Sequence, residues 1–171
     1  MEIRSDAFVP FPRAAVFVAY RDRLGETVKH LPNIRAIRVL SREEAGGKTL
    51  LVNEWVGGGD IPAVARRVLS ESMMKWNDHA AWDEAAHEVA WRTEVTAFSG
   101  ALRSSGTNRF VEADGGTRLE VRGDLTLDAA KIPGIPRLLE RSVGAALEKF
   151  FLSQVTLNNV AIAAALTKLL G

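Results

Sequence analysis

The sharpest alternation of apolar and polar positions runs from Arg118 to Leu127, where Leu119, Val121, Gly123, Leu125 and Leu127 interleave with Arg118, Glu120, Arg122, Asp124 and Thr126. A period of two puts these sets on opposite faces of a strand, one dry and one wet. With Asp114-Gly115 as the preceding turn, the next strand upstream pairs Ala113 with Gly116, Phe110 with Leu119, Asn108 with Val121 and Gly106 with Gly123. Arg109 then faces Glu120 on the wet side, a cross-strand pair worth ~0.2 to 1 kcal/mol. The facing glycines on the dry side have two readings. Either they let the sheet bend or a helix approach closely, or they leave room for a ligand with Ser104 and Asn108 beside it.

Looser versions of the same pattern predict strands at Met1 to Phe11, Ile34 to Arg42, Thr49 to Val56, Met73 to Trp82, His87 to Phe98 and Leu102 to Glu112. Gly46-Gly47 reads as a hairpin turn, because paired glycines accept the positive φ that tight turns require. Pro12 favours a helix over Ala14 to Tyr20, ended by Gly25, and a second short helix from Glu26 to Leu31 stops before Pro32. Between Asp60 and Ser72, the spacing of Val64, Ala65, Val68 and Leu69 suits a helical lid, while the short length suits a twisted strand. Ile132-Pro133-Gly134-Ile135-Pro136 opens a helical run to Leu170 with an apolar stripe at Leu139, Val143, Leu147, Phe150, Leu157, Ala161 and Ala164.

That last helix would span roughly 50 Å, against roughly 33 Å for a ten-residue strand. It must therefore overhang or bend, with Asn158-Asn159 the candidate irregularity. Its apolar end, Val160 to Leu170, is expected to pack on the first helix or on a second subunit, the latter giving a homodimer. Phe150 to Thr167 carries no charge, but Ser153, Gln154, Thr156, Asn158, Asn159 and Thr167 interrupt it, so a buried helix is expected and no transmembrane segment. The N-terminal residues lack the basic-then-apolar order of a secretory signal.

Charge narrows the partners. Lys and Arg number 22 against 21 Asp and Glu, a formal net charge of +1 with no long block of one sign, so no nucleic acid partner is expected. Cysteine is absent, which removes disulfides, thiolate catalysis and Cys-ligated zinc together; the cytoplasm is the expected compartment.

Several motifs resemble chemistry without meeting its geometry. Gly46-Gly47-Lys48-Thr49 looks like the end of a phosphate-binding loop, yet Arg42 stands where the leading glycine is required and a strand follows where a helix is needed. His79, Asp83 and His87 would share a face of a helix, but they fall on a strand and its connection, so no metal is expected. Glu84-Ala85-Ala86-His87 matches half of a Glu-x-x-His di-iron site, and a second copy is missing. No nucleophile elbow occurs.

Glu54 is a candidate of a different kind. In the Gly46-Gly47 hairpin it shares a face with Ile37, Val39, Val52 and Val56; were that face concave, desolvation would raise its pKa and make it a proton donor or acceptor. Were the face turned to water, Glu54 would simply be solvated. Trp76 and Trp91 read as core aromatics that could also wall a ligand site.

The order of elements, with His30-Leu31-Pro32-Asn33-Ile34 and Val39-Leu40 after the first helices, resembles the START-like, Bet v 1-like superfamily (SRPBCC) over essentially the whole chain. The spacing of Ile132-Pro133 and Glu140 is similar to a bacterial branch near the polyketide cyclase and coenzyme Q-binding START proteins, with Pro136 where that branch carries glycine. The resemblance implies an α+β helix-grip fold: a seven-stranded curved antiparallel sheet around a long C-terminal helix, two short helices after strand 1, and residues 1–171 as one domain. It also implies a cavity for apolar molecules, and one fold hosts many activities.

The function expected is binding or transport of a lipid, isoprenoid or polyketide-like molecule between sheet and helix, without a cofactor and without catalysis. Trp76, Trp91, Thr93, Ser104 and Asn108 are expected at the ligand, with Glu54, Phe110, Val143, Leu147 and Phe150. The alternative is a cyclase or dehydratase in which Glu54 moves the proton and Asn108 or Ser104 orients an oxygen.

Overall fold

Seven strands form one antiparallel sheet in the computed structural model, which describes residues 1–171 apart from the side chain of Phe98. They are β1 (Glu2–Val9), β2 (Ile34–Ala45), β3 (Lys48–Gly57), β4 (Lys75–Asp83), β5 (Glu88–Val95), β6 (Leu102–Ala113) and β7 (Gly116–Leu127). From β2 to β7 each strand pairs with the next, and β1 closes the other edge against β7. Gly46 and Gly47, at φ 59° and 75°, make the two-residue turn between β2 and β3 that the sequence predicts.

Helix α1 (Arg13–Arg23) starts directly after Pro12 and runs into a 3-10 helix, Leu24–His30. The long helix α2 (Glu140–Leu170) is continuous through Asn158-Asn159, preceded by a 3-10 turn at Arg137–Leu139. It is long and apolar enough to cross a membrane by length and composition. Here it buries Val143, Leu147, Phe150, Ile162 and Leu166 against protein, as a core helix does. Its C-terminal end packs into the same cluster as Val16 and Phe17 of α1.

The β6–β7 register agrees with the sequence reading at every pair named above, from Ala113 opposite Gly116 to Gly106 opposite Gly123. The charge partners differ. Arg109 Nε donates to Glu88 Oε1 at 2.8 Å, and Glu120 accepts from Arg118 Nε at 2.7 Å, because Arg109 has a second cross-strand neighbour in Glu88 on β5. Residues 60–70 form neither a helix nor a strand, and Glu71–Met73 is a 3-10 turn. Turns cover 63–68, and Ile61, Ala65 and Leu69 are buried, so the segment is a strap pinned by three apolar anchors, too short for helix nucleation to be favourable. Likewise Thr96–Phe98 is a 3-10 turn and not the end of β5.

Two apolar clusters fill the space between sheet and helices. One gathers Phe17, Tyr20, Trp82, Phe110 and the C-terminal part of α2. The other gathers Leu69, Leu102, Leu125 and the N-terminal part of α2, with Val143, Leu147 and Phe150. Between them lies a waist whose residues are of another character.

Candidate functional site

Register builds the waist. Asn53 of β3 pairs with Asp78 of β4, Asp78 with Thr93 of β5, and Thr93 with Ser104 of β6. Side chains in one rung of a sheet point to the same side, so four polar residues cross the concave surface in a row. On α2 the stretch facing this row presents Phe151, Gln154, Val155, Asn158, Asn159 and Ile162, at the helical spacing of one face. The polar residues that interrupt the apolar run of α2 thus have a place: they meet the polar rung.

α2 does not close against the polar rung. A cavity of about 200 Å³ remains there, lined by the rung, by the helix residues just named and by aromatic rings. For scale, an engineered apolar cavity of about 150 Å³ holds benzene. Lys75 is the exposed residue of the wall among the described residues, so the cavity reaches the surface on its side.

Unmet hydrogen-bonding capacity concentrates on this wall. Asn53 Oδ1, Ser104 Oγ, Asn158 Oδ1, Asn159 Oδ1 and the indole nitrogens of Trp55 and Trp82 are buried and unpartnered. Each such group costs roughly 1 to 3 kcal/mol in a folded protein. Thr93 Oγ1 reaches the Ser104 carbonyl at 3.5 Å, too far for a strong bond. Two polar contacts are well made: Trp91 Nε1 donates to Asn108 Oδ1 at 2.8 Å, and Asn159 Nδ2 donates to Ser5 Oγ at 2.8 Å.

Asp78 is the acid of the site. Burial pushes its pKa from 3.8 to about 7, and no neighbouring cation or hydrogen-bond donor opposes the shift. Asp78 is half-buried and lines the cavity. Tyr20, from α1, lines the same cavity; its hydroxyl is pushed up by burial first, then by the negative charge of Asp78, with Asn108 acting in the opposite direction.

Of the residues singled out from sequence, Trp76, Trp91, Thr93, Ser104 and Asn108 stand on the cavity wall. Glu54 does not. It lies on the convex face, where Arg38 Nη1 donates to Glu54 Oε1 at 2.7 Å. Both faces of β3 carry apolar residues, so alternation alone did not say which turns inward; Trp55, stacked on Trp76 at 5.7 Å and 14°, takes the inner face with Leu51 and Asn53. Phe110 belongs to the packed aromatic cluster, with Phe17 at 5.1 Å and Trp82 at 6.0 Å. Val143, Leu147 and Phe150 sit in the second apolar cluster, Val143 and Leu147 one to two turns before the helical face at the cavity and Phe150 directly before Phe151.

The glycine pair resolves in favour of close approach. A Cβ at Gly106 would come within 2.2 Å of the Arg122 carbonyl and 2.7 Å of the Trp91 ring, so the indole lies across the bare backbone and takes up the space the ligand reading of the pair required. Asp78 and Asn53 were missed from sequence. Their signal was available: in β4, Trp76, Asp78, Ala80 and Trp82 share one parity, and a lone carboxylate among apolar residues on such a face marks a buried acid.

No curated protein matches the chain by sequence. Among solved structures, TTHA0849 from Thermus thermophilus superposes with a TM-score of 0.70 at 18% identity over all of both chains. Zhui aromatase/cyclase from Streptomyces sp. R1128 gives 0.70 at 19% identity, over 100% of this chain and 96% of that one. Ara h 8.0201 gives 0.56 at 18% identity over 98% of each. Identities this low establish a shared fold and not a shared reaction. Residues 7–158, most of the length, match the model of the family described as Protein of unknown function (DUF2505). With the seven-stranded antiparallel sheet gripping α2 and this match together, the chain belongs to the DUF2505 family and has the helix-grip fold of the START-like, Bet v 1-like superfamily.

Proposed function

We propose that this protein binds a small, largely apolar molecule in the cavity at the waist, as a carrier or sensor of a lipid, isoprenoid or polyketide-like compound. The observation that carries the reading is the unfilled volume between two well-packed clusters, walled by aromatic rings and by unpartnered polar atoms. Pockets for small molecules combine apolar walls with a few polar anchors in the same way. All four tryptophans line the cavity, so their emission should report occupancy. Titration with naphthalene-sized apolar probes is expected to give saturable binding at one site, abolished by Ser104→Trp, which fills the waist. Absence of saturable binding, or binding indifferent to the filled waist, sinks the reading.

A second reading is favoured by Asp78. A carboxyl whose pKa is about 7 can both give and take a proton at neutral pH, the requirement for general acid–base work in a cyclase or dehydratase. Asp78 replaces Glu54 in that scheme. Turnover of a poly-β-ketone substrate should fall at least about a hundredfold in Asp78→Asn; undiminished turnover removes the mechanism.

A further inference from the structure

The aromatic side chains on the cavity wall are not scattered. Along β4, Trp76 precedes Asp78 by two residues and Trp82 follows it by four, all on the inner face. Trp76 pairs with Trp55, Ala80 pairs with Trp91, and Trp82 meets Tyr20 edge-on at 5.5 Å. Rings therefore flank the carboxylate on both sides along its own strand and on both neighbouring strands. They include every tryptophan and the one tyrosine of the chain.

A desolvated carboxylate and the faces of aromatic rings attract the same partner, a cation. The negative charge at Asp78 is unmatched: Lys75, at the exposed end of the wall, is the other charged residue lining the cavity among the described residues, and Asp78 is held by no side-chain cation. Three of the buried unpartnered atoms, Asn53 Oδ1, Asn158 Oδ1 and Asn159 Oδ1, are acceptors awaiting donors. An ammonium group brings three N–H donors and a positive charge, whereas a hydroxyl brings one donor and a hydrocarbon none. A purely hydrocarbon guest would leave both the acid and the amide oxygens buried without partners.

We infer that the guest of this cavity carries a protonated amine seated at Asp78, across the strand from Asn53, with an apolar ring or short chain held among the tryptophans. The inference rests on the binding reading above and narrows it to hydrophobic amines. Cation–π attraction adds to the charge pair because both act in a site largely lined by apolar side chains, where the effective dielectric is lower than in bulk water.

The test compares two probes of one shape, 1-naphthylmethylamine and 1-naphthylmethanol, by titration calorimetry on the intact chain and on Asp78→Asn and Asn53→Leu. The amine is expected to bind the wild-type chain at least about tenfold more tightly than the alcohol. Asp78→Asn should erase that preference through loss of amine affinity, and Asn53→Leu should reduce it partly. Circular dichroism and thermal melts establish that the variants are folded. Equal affinity of the two probes overturns the amine while the binding reading stands; a preference that survives Asp78→Asn overturns the assignment to this carboxylate. Failure of both probes to bind the wild-type chain overturns the inference together with the reading beneath it.

Discussion

The cluster gripped by α1 and the waist beside it are built from the same strands, yet they obey opposite rules. In the cluster, Phe17 packs edge to face on Trp82 and Phe110 at 5.2 and 5.1 Å, Trp82 and Phe110 tilt against each other at 6.0 Å, Phe17 has no exposed surface, and Leu119 and Leu166 close around them. One rung or two away, Asn53, Asp78, Thr93 and Ser104 face an unfilled space with their polar atoms poorly matched. The cluster is arranged for stability. The waist gives up stability to keep a shaped, hydrogen-bonding hollow, a pattern typical of sites that recognise something.

Substitutions in the two regions should therefore move stability in opposite directions. The largest effect belongs to the cluster: Phe17→Ala should cost about 3 to 5 kcal/mol, read from the denaturant midpoint, because it opens a cavity in close-packed surroundings. A loss under about 1 kcal/mol would mean that this end is as loosely filled as the waist. Next comes Gly106→Ala, where the added methyl meets backbone and the Trp91 ring; about 2 to 3 kcal/mol of destabilisation is expected, with the Trp91 environment altered in near-ultraviolet circular dichroism. An unchanged spectrum would show that the indole does not lie across this glycine.

Asp78→Asn sharpens the comparison through pH. The folded pKa of Asp78, about 7, lies above its ordinary 3.8, so between these values the folded chain keeps a proton that the unfolded chain has released. Stability tied to this group is complete below pH ~4 and is lost as pH rises through ~7. The variant should flatten that slope and be the more stable protein at pH ~8 by about 2 kcal/mol, allowing for water in the cavity. Tyr20, on the same wall, is pushed up from its ordinary value and so stays neutral in this window. A slope identical in wild type and variant would place the titration elsewhere. The smallest effect is at Asn53→Leu: removing an unpartnered amide should be neutral or stabilising by about 1 kcal/mol in urea melts. A clear loss of stability there would mean that Asn53 has a partner in solution.

Much of the architecture was legible along the chain. Gly46-Gly47 announced its hairpin through backbone permissiveness, and Asp114-Gly115 with the alternation of β7 set a register that holds rung by rung. Pro12 marked the start of α1, and the apolar run after Pro136 marked α2. Those signals are local, and local physics carries them. The candidate site was legible in half: Trp91, Thr93, Ser104 and Asn108 followed from inward parity on β5 and β6, while the inner face of β3 stayed open between two readings and Glu54 lies on the outer one. Phe110, Val143, Leu147 and Phe150 were correctly read as apolar and inward, but which inward residues touch each other and which border a void depends on where α2 lies along the sheet.

By itself the chain determined its strands, the hairpins at Gly46-Gly47 and Asp114-Gly115 and one helix long enough to cover them, because periodicity, turn residues and proline act over a few positions. Tertiary structure alone decided that Asp78 is desolvated at the cavity wall without a partner, that Trp91 fills the gap over Gly106, and that Asn158 and Asn159 close the polar waist. The reason is that desolvation and packing are properties of neighbours brought together from distant positions, and no pattern within one element records who those neighbours will be.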